Sequence, residues 1–446
     1  MRLIRHTLTR PFSSLHRKPL PVPSPGPLLP QGEVVDEEIC PGYNSKNFYP
    51  AKPGQVLANR YQILVKVGWG VSSTVWFARD MRGHRWESES LVALKIANAR
   101  TDTDDADEWQ MEEHIAKANP SHRGRPIFRT SSECFEVTSS GGKHLCLAYE
   151  PMREPIWLFQ RRFKNGTIPL PLVKTYILLL LAGLDYLHTE CKVVHTDLKL
   201  DNIMVTFEDP AVVGDFMNSQ LDNQPMQYKI DSTGRPVYRC HNDFGPLRKL
   251  GNIPKIVDFG SSIRLDAQDD WGVYPIEPDH YRAPEVILGC GWRMSADIWN
   301  FGVLLWDIIQ GKTLFRQIHD TRGQYDAKAH IAEMIALLGP PPPELLARSH
   351  SMRGYKWPEP AKREDGKMCE SAEQYFAGPF FDKDGNFLHP ELIPDRKLAD
   401  TIPSPPLLEE KDRENFLSFV QMMLVWQPEE RKTARELMEH PFLRLK

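Results

Sequence analysis

Several things are scarce in this 446-residue chain, and each scarcity excludes a class of function. There is no basic excess: 55 Lys and Arg stand against 59 Asp and Glu, a formal net charge of −4. Nucleic-acid binding draws on a basic surplus or stripe, so no direct nucleic-acid partner is expected. There is no long apolar run. The longest, around Tyr176 to Leu187, contains Asp185 and falls short of the ~18–20 residues of a membrane span. It reads as a buried helix, and no membrane partner is expected. Cysteine is sparse and scattered: the seven residues Cys40, Cys134, Cys146, Cys191, Cys240, Cys290 and Cys369 show no metal-ligand spacing. Free thiols in a reducing interior follow, rather than a disulfide scaffold. No internal repeat is present. With 41% apolar and 26% charged residues, the chain is an ordinary globular protein of two or three structural units.

Acids are missing altogether before Glu33, whereas Arg2, Arg5, Arg10, Arg17 and Lys18 precede a proline-rich stretch from Pro19 to Pro30. Residues 1–55 are therefore expected to be disordered. Their composition suits either a mitochondrial import signal or a basic tail of a cytoplasmic or nuclear protein. From Tyr61 the texture changes. Tyr61 to Val67, Val75 to Ala78 and Leu91 to Ile96 alternate as strands do. Thr101 to Asn119 predicts a helix with acids at its start. Helical spacing then dominates over Leu172–Leu187, Ala296–Gln310, Ala327–Leu338 and Glu414–Trp426. The expected architecture is α+β and bilobal. A small β-rich lobe at 56–152 precedes a larger helical lobe at 153–446, with a short insert at about 206–250.

The residues that carry chemistry fall in a fixed order. Gly68-Trp-Gly-Val-Ser-Ser-Thr-Val75 lies between two strand candidates, and glycines admit phosphate oxygens close to the backbone. Strand–loop–strand context argues against a dinucleotide fold, whose glycine loop opens a helix. Lys95, in Val92-Ala-Leu-Lys95, suits phosphate neutralisation, held by a carboxylate of the next helix: Glu108 is preferred, Glu112 is second. Next comes His195-Thr-Asp-Leu-Lys-Leu-Asp-Asn202, then Ile256-Val-Asp-Phe-Gly260 and Ala283-Pro-Glu285. Phosphoryl transfer needs oxygen ligands for a metal, here Asn202 and Asp258. It needs a carboxylate to orient the attacking hydroxyl, here Asp197, and an ammonium for charge in transit, here Lys199.

This constellation resembles the eukaryotic protein kinase superfamily. The stretches Lys66 to Trp76, His195 to Lys199 and Tyr49 to Tyr61 are similar to SR-protein kinases, especially fungal relatives. The resemblance implies ATP and Mg2+ as cofactors and transfer of the γ-phosphoryl to Ser or Thr hydroxyls of a protein substrate. It implies a nucleotide site of Val67, Gly68, Trp69, Gly70, Val71, Ser72, Ser73, Val75, Ala93, Lys95 and Glu108. To these it adds Glu150 and Met152 at the hinge, Tyr149 behind it, and Met204 under the adenine. Asp297 would anchor the catalytic loop and Glu285 would pair with Arg431. The insert sits where SR-protein kinases carry a spacer.

Departures from the common pattern also inform. Thr196 replaces the arginine that, in many kinases, grips a phosphate on the activation loop. No threonine lies between Asp258 and Glu285; Ser261, Ser262, Tyr274 and Tyr281 are the residues there open to modification. Activity is expected not to wait on phosphorylation of this loop. Pro278 stands where many Ser/Thr kinases have threonine. An Arg/Ser-rich substrate would want acids, and Asp102, Asp104, Asp105, Asp107 and Glu108 cluster, although helix capping accounts for them equally well. The alternative to an active kinase is an idle kinase-fold scaffold; all the chemical residues being present favours the enzyme. A monomer inside the cell is expected. Asn165-Gly-Thr and Asp382-Lys-Asp-Gly read as an incidental sequon and a turn.

Overall fold

The computed structural model describes all residues except 1–16, 22–25, 85–86, 88, 100–104, 223–224, 268–269, 404–407 and 445–446. The import-signal reading falls largely on residues 1–16, and Asp102 and Asp104 of the acidic cluster likewise lie outside the described residues. The chain divides into two units. The first comprises Met1–Gln110, Thr130–Arg153 and Phe207–Gly251; the second comprises Met111–Arg129, Glu154–Thr206 and Asn252–Lys446.

In the first unit, β1 (Val56–Leu57), β2 (Tyr61–Trp69), β3 (Ser73–Asp80), β4 (Ser90–Ala97), β5 (Glu133–Ser139) and β6 (Gly142–Tyr149) form one antiparallel sheet. Its order is β1-β2-β3-β4-β6-β5. The three strands expected from alternation are all present. β2 and β3 are nearly continuous runs of buried residues, because both faces of the sheet are covered.

One cover is the insert, and here expectation and structure differ. By position in the chain the insert belongs to the helical lobe, but it folds onto the first unit. Its helix Pro210–Asp222 and hairpin Tyr228–Ile230/Pro236–Tyr238 bring Val212, Phe216, Met217, Met226 and Phe244 into one core with Ile63, Val65 and Phe77. Phe216 and Phe244 pack edge to face at 4.7 Å, and each contacts Phe77. Burying these side chains, at about 1.5–3 kcal/mol each, is what holds a polar, irregular segment to the sheet.

The expected disorder of residues 1–55 is corrected for the described part, which forms a strap over the insert. Leu29 and Val35 share a small core with Val237. Leu29 N–H donates to Tyr228 O at 2.8 Å. Composition misses this because the strap's charges have partners about two hundred residues away. Glu37, fully buried, binds both Lys66 of β2 and Arg235, the latter at 2.8 Å. Glu38 meets Lys229 at 2.8 Å, and Asp36 accepts the Cys240 N–H at 2.6 Å.

Removing one partner of such a buried network leaves charge uncompensated. Glu37→Gln is therefore expected to cost about 3–5 kcal/mol of unfolding free energy, read by denaturant titration. Burial opposes the Glu37 charge, but Lys66 and Arg235 outweigh it and hold the carboxyl below its ordinary 4.5. This contribution is fully present above pH 4.5 and disappears as pH falls through the lower folded value. The acid sensitivity of the first unit should shrink in the variant.

The second unit is helical. Its long helices are Leu170–Tyr186, Ser295–Gln310, Ala327–Leu338, Pro343–Met352 and Glu410–Val420. The helix over Ala327–Leu338 has the expected ends, whereas the last begins and ends earlier than its pattern suggested. Leu170–Cys191 is a continuous helical run of 22 residues, longer than the apolar stretch read from sequence. It is long and apolar enough to cross a membrane, but 67% of its most apolar window is buried against the rest of the protein. Helix Ser295–Gln310 is buried along almost its whole length, with Trp299 and Trp306 fully enclosed. At its start Arg431 forks onto Glu285 at 2.6 and 2.7 Å, both side chains inaccessible to solvent. The expected pair is thus formed.

Candidate active site

In the first unit the hairpin between β2 and β3 carries the glycine motif. Gly70 N–H donates to Ser73 O at 2.9 Å and closes the turn. The two glycines differ in physical reason. A Cβ at Gly68 would come within 3.3 Å of Val75, whereas one at Gly70 would meet nothing within 4 Å. Gly70 thus leaves its backbone open to a ligand. Trp69 and Val71 are exposed, and Val67, Gly68 and Ser72 are partly covered. Ser73 already belongs to β3, buried opposite Ala97.

Register fixes the neighbouring face. Lys95 lies directly opposite Val75 and Leu147, and Ala93 opposite Phe77 and Tyr149. Directly opposed residues share a face, as do residues two apart on a strand. Val75, Ala93 and Lys95 therefore line one face. Lys95 Nζ donates to Glu108 Oε1 at 2.6 Å. Glu108 lies on α1 (Asp105–Lys117), so the preferred carboxylate is the one that holds the lysine; Glu112, the second choice, is buried farther along the helix. At the end of the unit Glu150 is exposed and Met152 buried. The next residue, Arg153, forms an ion pair with Glu208 of the insert at 3.1 Å, both side chains at 0% exposure. Nothing in the local sequence marks that pair, because its members lie 55 positions apart.

In the second unit the chemistry-bearing residues converge. Asp197 accepts from Lys199 Nζ at 2.8 and 3.0 Å and from Asn202 Nδ2 at 2.8 Å. Asn202 Nδ2 also donates to Asp197 O at 2.9 Å. Both amide protons are thus directed inward, which leaves the amide oxygen as the acceptor. Strand Ile203–Val205 pairs with Pro254–Ile256, and Val257 N–H donates to Asn202 O at 3.0 Å. This pairing delivers Asp258 beside Asn202, exposed and with φ of 70°. Phe259, buried, packs on His195 and Phe128. Met204, half-buried, lies in the same short sheet, opposite Pro155 and Lys255.

Behind this loop, buried Asp297 accepts from His195 N at 2.8 Å, Thr196 N at 3.1 Å and His188 Nε2 at 2.9 Å. These bonds hold Thr196 at φ 69°, a conformation a β-branched residue adopts only when its surroundings impose it. Thr196 Oγ1 donates to Ser261 O at 2.7 Å. Asn202 and Asp258 present hard oxygen donors of the kind a divalent metal ion takes. Among the described residues no group of three or more His, Cys, Asp or Glu is placed to hold a metal unaided.

Two features escaped the sequence reading. Asp307 is buried in helix Ser295–Gln310, and its Oδ2 has no hydrogen-bond partner. Burial pushes its carboxyl up to about 6 even though Tyr281 hydrogen-bonds to it. Tyr281 also lies in the field of Asp201, beside Asn202. Glu277 is the second, a buried acid in left-handed backbone.

Comparison with known proteins agrees with this geometry. Residues 61–240 and 247–443 match the protein kinase domain. A serine/threonine protein kinase of Aspergillus fumigatus is 34% identical over 98% of both chains. The serine/threonine-protein kinase SRPK of Physarum polycephalum is 29% identical, covering 92% of this chain and 93% of its own. A crystal structure of a kinase domain superposes with a TM-score of 0.59 at 21% identity, over 90% of this chain and all of that one, and supports the fold. The chain belongs to the protein kinase family, as an SR-protein-kinase-like serine/threonine kinase.

Proposed function

We propose that the kinase uses Asp197 to orient the substrate hydroxyl and accept its proton, and Lys199 to balance charge on the moving phosphoryl group. The observation that carries this is the grip on Asp197. Two donors fix its carboxylate, and Asp297 fixes the loop that bears it. Asn202 and Asp258 would hold Mg2+, whose positive charge would offset that of the nucleotide's phosphates. In the first unit, Lys95, steadied by Glu108, would neutralise the nucleotide's α- and β-phosphates. The loop Val67–Ser73 would cover the phosphates. Val75 and Ala93 would line the adenine's place on the first unit, and the Glu150–Met152 backbone would bind its edge.

The substrate would be a protein rich in arginine and serine. Support comes from Asp201, in the catalytic loop, and Asp307, both of whose charges act on Tyr281. A buried carboxylate with an open acceptor favours a guanidinium, which binds with charge-assisted geometry. An intracellular site of action, cytoplasmic or nuclear, fits seven free cysteines. The test is a peptide-library phosphorylation assay with labelled ATP. Serine peptides flanked by arginine should be preferred, and Asp307→Asn should reduce that preference by about tenfold. Equal use of arginine-free peptides would remove the substrate assignment.

A further inference from the structure

A glycine loop serves a nucleotide only if its backbone N–H groups are aimed, and a hairpin tip that stands in solvent has little packing to aim it. Trp69 is 39% and Val71 67% exposed, so the tip depends on hydrogen bonds from its neighbours. Two of these come from one residue, Asn98, which directly follows β4. Its backbone N–H donates to Ser72 O at 2.8 Å. Its side-chain Nδ2 donates to Val71 O at 3.1 Å. The first bond carries the β3–β4 ladder one step beyond the Ser73–Ala97 pair, and any residue but proline could make it. The second needs this side chain.

The side chain is turned to make that one bond. Its Oδ1 is buried without a hydrogen-bond partner, which is unfavourable. Turning the amide over would set two acceptors, Oδ1 and Val71 O, against each other. Asn98 is also firmly seated. On one side Ala97 O accepts from His144 Nδ1 at 2.9 Å, and Ser139 Oγ bonds the other ring nitrogen at 2.8 Å. On the other side Ala99 N–H donates to Asn47 O of the strap at 2.6 Å. A peptide group is planar and trans, so a carbonyl held toward Asn98 turns the N–H of the same unit the opposite way. Holding Val71 O therefore aims the Ser72 N–H.

We propose that Asn98 is a positioning residue for the nucleotide: its side-chain amide holds the tip of the glycine loop so that the Ser72 N–H is presented to the phosphates. The inference rests on the reading that the loop Val67–Ser73 covers the phosphates. Lys95, on the strand that leads to Asn98, attracts the phosphates by charge; Asn98 acts on them only through the loop. The base of the same hairpin has a separate holder, since Lys66 O accepts the His241 N–H of the insert at 2.8 Å. Loss of the Asn98 side chain therefore frees the tip and leaves the base in place. Preorganised N–H donors are effective because they need no reorientation when charge arrives. A freed tip has to be ordered by the nucleotide itself, and affinity falls by that amount.

The experiment compares the full chain as wild type, Asn98→Ala and Asn98→Leu. It measures kcat/KM for Mg-ATP, KM for a basic test protein, and the binding of Mg-ATP and of adenosine, which carries no phosphate. Asn98→Ala should lower kcat/KM for Mg-ATP, and weaken Mg-ATP binding, by about threefold to tenfold, the worth of one neutral hydrogen bond. Adenosine binding and the KM for the test protein should not change. Asn98→Leu keeps the size and neutrality of the side chain but offers Val71 O no donor, so it should lose as much as alanine. The proposal is overturned if either variant handles Mg-ATP as wild type does, or if adenosine binding falls as far as Mg-ATP binding, which would mean general damage to the unit. Should the alanine variant fail to fold, the leucine variant decides alone. Gly70→Val tests the underlying reading separately. A Cβ there meets no protein atom within 4 Å, yet the side chain would stand where phosphate has to approach. Unchanged kcat/KM for Mg-ATP in Gly70→Val would take the loop away from the phosphates, whatever position 98 shows.

Discussion

Asp197→Asn is expected to lower kcat by about 10²–10⁴ while the protein keeps its fold and its affinity for Mg-ATP. An amide preserves the shape of the side chain but cannot accept a proton from a substrate hydroxyl. Its NH2 group would also face Lys199 Nζ or Asn202 Nδ2, both of which donate to the carboxylate at 2.8 Å. Two donors opposed to a third should shift the loop by a fraction of an ångström, enough to add to the chemical loss. Single-turnover transfer of labelled phosphate separates the chemical step from nucleotide binding, and a thermal-shift assay with Mg-ATP reports binding. Retained turnover would dismiss Asp197 from its role.

Asp297→Ala should damage both stability and activity. Three donors converge on this buried carboxylate, two of them backbone N–H groups of the catalytic loop. Hydrogen bonds to a charged acceptor are worth about 1.5–3 kcal/mol each, and leaving buried donors unmade costs comparable amounts. A loss of about 3–5 kcal/mol in unfolding free energy is expected from the buried charge network. Thr196 has no reason to remain at φ 69° once its N–H is released, so the bond its carbonyl accepts from the Glu277 N–H at 2.9 Å should fail with it. Hydrogen exchange of the His195 and Thr196 amides checks this directly: both should exchange faster in the variant, by a larger factor than amides of helix Ala327–Leu338.

Much of the site was legible because the chemistry concentrates in short runs. His195 to Asn202 spans eight consecutive positions, and a turn that compact necessarily brings its polar side chains together. Lys95 and Glu108 were readable as a pair because a strand and the helix that follows it pack as neighbours. Residues whose roles come from distant partners were not legible. Glu37 reads as one acid among four in a polar stretch until Lys66 and Arg235 meet it. Arg153 and Glu208 are each an ordinary surface type by composition, yet neither is exposed. The insert showed no strong periodicity because it completes another element's core rather than forming its own. Asp307 was hidden in a helix whose apolar residues explain it well enough without a carboxylate.

The sheet's dependence on Phe207–Gly251 has a consequence for synthesis. The six strands are complete in the chain by Tyr149, but Phe77 and its neighbours wait for Phe216 and Phe244 to cover them. At about 5–20 residues per second, the ribosome needs on the order of 5–20 s to pass from Arg153 to Gly251. For that interval the nascent small lobe presents an uncovered apolar face. Newly made chains should therefore engage chaperones at this stage, and a ribosome stalled just before Phe207 should yield a sheet more easily cut by protease than one stalled well after Gly251.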